Sequence, residues 1–202
     1  MLSAAARDNG VLIVGGSTPL PAPDGRVTNT CLVFDGHGRR IGRYDKIHLF
    51  DVSVSSSESY NESRHIAPGS EPLAVDALGL TLGITICYDL RFPELYRRLA
   101  VAGAELFTIP SAFTVPTGWA HWHTLLRARA IENLAWVVAP AQVGEHTSGR
   151  QTFGHSLIID PWGAIVAECA GGPGVIFAQL DRNDAAQRRQ QFPALAHRVL
   201  DR

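Results

Sequence analysis

The chain contains several short runs in which almost every residue is apolar: "VLIV" within residues 9–17, "LFTI" after Glu105 and "LAWVVA" from Leu134. A strand with one face in water alternates apolar and polar residues. These runs do not alternate, so both of their faces need cover. That requirement argues against an open, one-sided sheet and predicts an α/β layered fold, with helices packed over buried strands. The helices can be read directly. "FPELYRRLAVAGA" has Pro93 in its first turn and Leu95, Leu99 and Ala102 on one face, and "HWHTLLRARAIEN" carries a stripe of Trp122, Leu125, Leu126 and Ala130. Two hairpins are expected as well. "NTCLVFDGHGRRIGRYDK" turns at Asp35-Gly36-His37-Gly38, residues suited to the positive φ of a tight turn, and "SLIIDPWGAIVAEC" turns at Asp160-Pro161-Trp162-Gly163. With 46% hydrophobic residues and four Trp in 202 residues, the chain can bury a substantial core, and residues 1–202 are expected to form one domain.

Residues 53–69, "SVSSSESYNESRHIAPG", are polar and interrupt this pattern. Strand-like segments resume at once, which predicts a long loop inside the domain rather than a linker; loops of that length are often functional. Charge excludes some partners. Lys+Arg number 18 against Asp+Glu 19, a net charge of −1, which offers no electrostatic case for a nucleic-acid or membrane partner. No basic start leads into an apolar core of the signal-peptide kind, and no apolar run approaches the roughly 18 residues of a membrane span. The three cysteines, Cys31, Cys87 and Cys169, are widely spaced and include no C-x-x-C pair, so reduced thiols in the cytoplasm are expected.

The chemistry concentrates at "GITICYDLRFPELYR". An apolar strand ends there in a thiol (Cys87), followed within a few residues by Tyr88, Asp89, Arg91 and Glu94. A strand end that turns into a helix exposes a side chain beside free backbone N–H groups, which suits a nucleophilic thiolate. Taken alone, Cys87 reads rather as a small core residue, and Lys46 in "GRYDKIHLFD" rather as a surface lysine with a buried stem. His121 and His123 lie two apart on a predicted helix and point in different directions, so they do not form a metal pair, and no other metal cluster is evident.

Taken together, "RYDKIHLFD", "ICYDLRFPE", "HWHTLLRARAIEN", "GHSLIIDPWGAIV" and "RRQQFPALAHR" resemble, in order and separation, the nitrilase superfamily of carbon–nitrogen hydrolases. Within it they are most similar to the Nit-type amidases, the branch of deaminated glutathione amidases and omega-amidases. The resemblance covers essentially the whole chain. It implies a four-layer αββα sandwich and an amidase that acts on a small linear carboxylate-bearing amide and needs no cofactor. Cys87 would attack the amide carbon to give a thioester intermediate, with ammonia leaving. Lys46 would stabilise the oxyanion and assist the departing group, and the backbone N–H of Tyr88 would complete the oxyanion hole. A glutamate in the loop after "HLFD" would orient the lysine; Glu62 matches by spacing, with Glu58 as a nearby competitor. Asp89, Arg91 and Glu94 would be scaffold and pairing charges around the turn.

The resemblance also implies a glutamate general base in a Pro-Glu motif ahead of the first matched segment. The first glutamate in this sequence is Glu58. The expectation is therefore a domain incomplete at its N-terminus, with little activity as written. The competing reading is a catalytically silent homologue that serves as a binding or oligomerisation subunit. A homodimer is expected, pairing through "FPELYRRLA" and "QRRQQFPALAHR".

Overall fold

A computed structural model describes residues 1–200 apart from Ser57, Ser148 and Arg182. The chain opens with helix α1 (Leu2–Asn9), which ends at Gly10 with φ 64°, the left-handed closure that glycine adopts without a Cβ penalty. Strands β1 (Ile13–Val14), β2 (Thr18–Pro21), β3 (Val27–Phe34) and β4 (Arg40–Asp45) follow, then the small pair β5 (Asp51–Ser53) and β6 (Ser59–Asn61), and β7 (Ile66–Ala67). Next come β8 (Leu73–Ala77), β9 (Leu80–Ile84), α2 (Pro93–Val101), β10 (Leu106–Thr108), α3 (Val115–Asn133), β11 (Trp136–Ala139), β12 (Val143–Glu145) and β13 (Gln151–Phe153). The chain continues through β14 (Ser156–Ile159), β15 (Ile165–Cys169) and α4 (Asp184–Gln191).

Two sheets carry the fold. In the first, β3 is the spine: β1 and β2 pair along one edge, and β4 and β7 along the other. The second has the order β15-β14-β11-β10-β9-β8, with β9, β10 and β11 parallel at its centre and antiparallel strands outside them. Successive residues of the central strands point to opposite faces. Leu106 and Trp136 face the first sheet and meet Cys31, Val33 and Tyr44. Phe107 and Val137 face the helices and meet Leu95, Leu99, Trp122 and Leu126. Each fully buried large side chain contributes about 1.5–3 kcal/mol relative to exposure. Helix α1 packs against β3 on the far side of the first sheet; Ala6 is buried there, and the Ser3 hydroxyl donates to Gly38 O at 2.6 Å. The order of layers is helices, sheet, sheet, helix: the αββα sandwich.

Several local expectations need correction. Residues 9–17 do not form one buried strand. Asn9 closes α1 and only Ile13–Val14 is extended, half-buried, before Gly16 turns left-handed at φ 61° and breaks the ladder. In α2 the buried face is Leu95, Tyr96, Leu99 and Ala100; Ala102 is the exposed C-cap, because the helix stops at Val101. Helix α3 starts earlier than the stripe suggests, at Val115, where the Thr114 hydroxyl accepts the Thr117 N–H. Its buried side chains include Arg129 and Asn133 as well as Trp122, Leu126 and Ala130, while Leu125 is only half-buried. The polar stretch 53–69 is more ordered than a plain loop, since it holds β6, a short 3-10 turn at Glu62–Arg64 and β7, which joins β3 in parallel. The Asp35–Gly38 turn places only Gly38 in the left-handed region (φ 77°), while the Asp35 carboxylate accepts the His37 and Arg39 N–H groups.

Candidate active site

Strand β9 ends at Ile84, and Cys87 opens a 3-10 turn, Cys87–Arg91, with φ 51°. A left-handed backbone costs a non-glycine residue about 1–2 kcal/mol, so neighbours must impose it. The Cys87 N–H donates to Pro110 O at 3.0 Å, and the Ile86 N–H to Asp89 Oδ2 at 2.9 Å. From α3, the buried Arg129 guanidinium donates twice to Leu90 O, at 3.0 and 2.7 Å. The turn is held from both sides, and its strain lifts the thiol out of the strand into a cavity. Cys31 is the contrast: it is enclosed between the sheets, and burial pushes its thiol up to about 12.

Lys46 follows β4. Its N–H donates to Asn29 O and its carbonyl accepts the Gly69 N–H at 2.8 Å. A Cβ at Gly69 would lie 2.1 Å from Asp45 O, so only glycine closes this loop. The Lys46 side chain is 3% exposed, and its Nζ donates to Glu62 Oε2 at 2.5 Å. The same oxygen accepts the Phe50 N–H at 2.6 Å. A buried ammonium requires such a partner. Glu58 is not that partner; its carboxylate accepts the Tyr60 hydroxyl instead. The 3-10 turn carrying Glu62 is itself anchored, with Asp51 Oδ1 accepting the Ser63 N–H at 2.9 Å. Hydrogen bonding from Ser63, its side chain first and then its N–H, holds the Asp51 carboxyl below its ordinary value.

Asp89, fully buried, joins the two halves. It accepts the Tyr44 hydroxyl at 2.7 Å, the His48 N–H at 3.1 Å and the Ile86 N–H, and it lies 2.7 Å from His48 Nδ1. Tyr44 and His48 sit two residues to either side of Lys46, so one carboxylate ties the lysine loop to the cysteine turn. The His48 ring stacks on Phe92 at 3.7 Å, which fixes it further. Burial and then the Asp89 charge push the Tyr44 phenol far above its ordinary value.

Lys46, Glu62, Cys87 and Tyr88 line one cavity of about 660 Å³ together with Arg91 and Arg150. Among the described residues lining it, Glu62 is the one carboxylate. Arg91 lies 5.8 Å from the Tyr88 ring centroid and 3.2 Å from His121 Nδ1. Arg150 donates to Ala112 O and lies 5.2 Å from the Tyr60 ring, and its Nε is buried without a hydrogen-bond partner. Two guanidiniums and a lysine against one glutamate leave the cavity cationic, the sign that attracts an anionic small molecule.

The sequence pattern of the carbon–nitrogen hydrolase family matches residues 1–190. The chain belongs to that family. It is 45% identical over 194 residues to a deaminated glutathione amidase of Synechocystis sp., covering 94% of this chain and 71% of that one. It is 44% identical over 178 residues to the mouse deaminated glutathione amidase, covering 87% of this chain but only 55% of that enzyme. The crystal structure of the C. elegans NitFhit protein superposes with a TM-score of 0.91 at 41% identity, over 98% of this chain and 48% of that one. Fold and family are those of the carbon–nitrogen hydrolases.

The four residues singled out from sequence thus meet at one cavity, and the lysine's carboxylate partner is Glu62. The Asp89 bonds and Arg150 were missed. Tyr44 lies 45 residues from Asp89 and His48 lies 41, a separation with no local pattern. Arg150 stands in a segment without a motif.

Proposed function

We propose that the chain hydrolyses the C–N bond of a small linear amide bearing a carboxylate, with Cys87 as nucleophile. The observation that carries this reading is a cysteine on a strained turn sharing a cavity with a buried lysine–glutamate pair. The Cys87 sulfur attacks the carbonyl carbon and the C=O electrons move to oxygen. The Lys46 ammonium and the Tyr88 N–H face the developing oxyanion, where fixed donors in a site shielded from water are worth several kcal/mol. Collapse expels the nitrogen, protonated as it leaves, and yields a thioester; water then cleaves the thioester to free acid and thiol. Glu62 orients Lys46. The family resemblance gives the thiol proton to a Pro-Glu glutamate, and among the cavity residues described Glu62 is the carboxylate that could accept it instead. The basic cavity supports a substrate carboxylate, and the names of the relatives support deaminated glutathione as the first compound to try.

The test is product formation from deaminated glutathione and a panel of omega-amides, following both the acid and the released amine or ammonia. Slow turnover by the chain, abolished in Cys87→Ala with the fold intact by circular dichroism, is the expected result. Turnover untouched by that substitution would remove Cys87 from the mechanism. Binding of these compounds without turnover would favour the silent, subunit-like reading.

We also read the protein as a symmetric cytoplasmic dimer. Phe177, Phe192, Val199 and Leu200, exposed along the C-terminal part, support a covered surface, and three free thiols suit a reducing compartment. Among the described residues no helix is long and apolar enough to cross a membrane. Light scattering at micromolar concentration should give twice the chain mass; a monomer would overturn the dimer.

A further inference from the structure

Helix α3 separates the two histidines of "AHWHT". His121 turns to Arg91, while His123 turns to the opposite side and meets two residues remote in sequence. His123 Nε2 lies 3.0 Å from Glu168 Oε1, and His155 Nδ1 lies 2.7 Å from that same oxygen. Spacing along one helix could exclude a His121–His123 pair. It could not reveal His155, which comes just before β14, or Glu168 on β15.

We propose that His123, His155 and Glu168 form a binding site for a divalent transition-metal ion of the zinc class. The three donor atoms all lie within 4.8 Å of one another. Two imidazole nitrogens and one carboxylate oxygen, with room for water, is a donor set that zinc accepts, at metal–ligand distances of about 2.0–2.2 Å. Donors around such an ion stand roughly 3–3.5 Å apart by the same geometry. The two nitrogen–oxygen separations already fall within a few tenths of an ångström of that.

The donors also stand on a rigid support, the condition for a site rather than a chance cluster. His155 has φ 59°, its ring stacks on Phe153 at 4.2 Å, and its carbonyl accepts the buried Trp122 indole N–H at 2.7 Å. Phe153 in turn fits against α3 only because position 118 is glycine; a Cβ there would lie 2.1 Å from the Phe153 ring. Glu168 is fixed by the β14–β15 ladder, opposite Leu157. Without an ion, each neutral imidazole can donate its N–H to the carboxylate. On binding, that proton shifts to the other ring nitrogen and the freed lone pair takes the metal, so no oxidant or reductant is involved. The ion would tie α3 to β15. Ser156, next to His155, and Thr117, on α3, both line the cavity, so the clamp would stiffen its wall.

The test uses the chelator-treated 202-residue chain with its accessible thiols blocked by iodoacetamide, titrated at neutral pH with Zn²⁺ by calorimetry and with Co²⁺ by visible absorption. One ion per chain is expected, with a rise in melting temperature. Glu168→Gln and His155→Ala should each weaken binding about 10–100-fold, while His37→Ala, in a distant turn, should leave it unchanged. Glu168→Gln keeps a hydrogen-bond acceptor for both rings, so it reads ligation without unfolding the site. Absence of saturable binding up to about a millimolar, where weak oxygen-rich sites would also register, would overturn the proposal. Binding indifferent to both substitutions would overturn it as well.

Discussion

Two carboxylates each gather two side chains in this molecule, and they do so under opposite conditions. Asp89 is sealed beneath the Cys87 turn and holds Tyr44, His48 and the Ile86 N–H. Glu168 stands at the surface on β15 and holds His123 and His155. The hydrogen-bond lengths are alike. What differs is the alternative open to the partners. Around Glu168, water can replace any lost bond. Around the fully buried Asp89 the Tyr44 hydroxyl and the Ile86 N–H have no such replacement, so those donors depend on that one carboxylate, while His48 keeps a partly exposed ring. A buried polar network therefore fixes geometry, whereas an exposed one with the same contacts is free to exchange them, for water or for an ion.

The largest effect should come from breaking the buried member. Asp89→Ala strands the buried Tyr44 hydroxyl and Ile86 N–H, each orphan costing about 1–3 kcal/mol, and removes the acceptor of the part-buried His48 N–H. We expect a loss of about 3–5 kcal/mol in urea unfolding, with Asp89→Asn between that variant and the parent. At temperatures where Asp89→Asn stays folded, turnover should fall through kcat more than KM, because the amide preserves bulk but not the register between Lys46 and Cys87. A loss under 1 kcal/mol for Asp89→Ala would mean that water reaches the network, and the contrast with Glu168 would collapse.

The same contrast marks what could be read from sequence. Features written in consecutive residues came through: the non-alternating strands β10 and β11, which demanded cover on both faces, the Gly38 and Gly163 turns, the Pro93 helix start, and the segments around Lys46 and Cys87. Features made by the fold did not. Asp89 could be recognised as scaffold beside the nucleophile, but its remote partners, Tyr44 on β4 and His48 in the loop after it, lie more than forty residues away. Residues 2–9 form a helix that no apolar stripe announces, since Ala6 is its one buried side chain. The polar stretch from residue 53 hid a hairpin because pairing between β5 and β6 needs only backbone groups. Glu62 matched by spacing and by the Pro-Gly that follows. Its choice over Glu58 follows from the Lys46 and Phe50 bonds, which only the folded chain displays.

The smallest effect belongs to the exposed member, and pH isolates it. The hydrogen bond from His155, with that from His123 and the charges of both rings, holds the Glu168 carboxyl below its ordinary value. A group whose folded pKa is depressed stabilises the fold fully above its unfolded pKa, about 4.3 for glutamate, and loses that contribution as pH falls through the folded pKa. With chelator present, Glu168→Gln should therefore cost stability near pH 6, and the difference from the parent should shrink as pH drops below about 4. Because the pair is exposed and screened by water, the cost should stay at about 0–1 kcal/mol, a shift of a few degrees or less in melting temperature. A difference that grew on acidification would reverse the sign and show that the unfolded chain, not the folded one, holds this carboxylate ionised. A cost as large as that of Asp89→Ala would show that exposure does not govern what a shared carboxylate is worth in this fold.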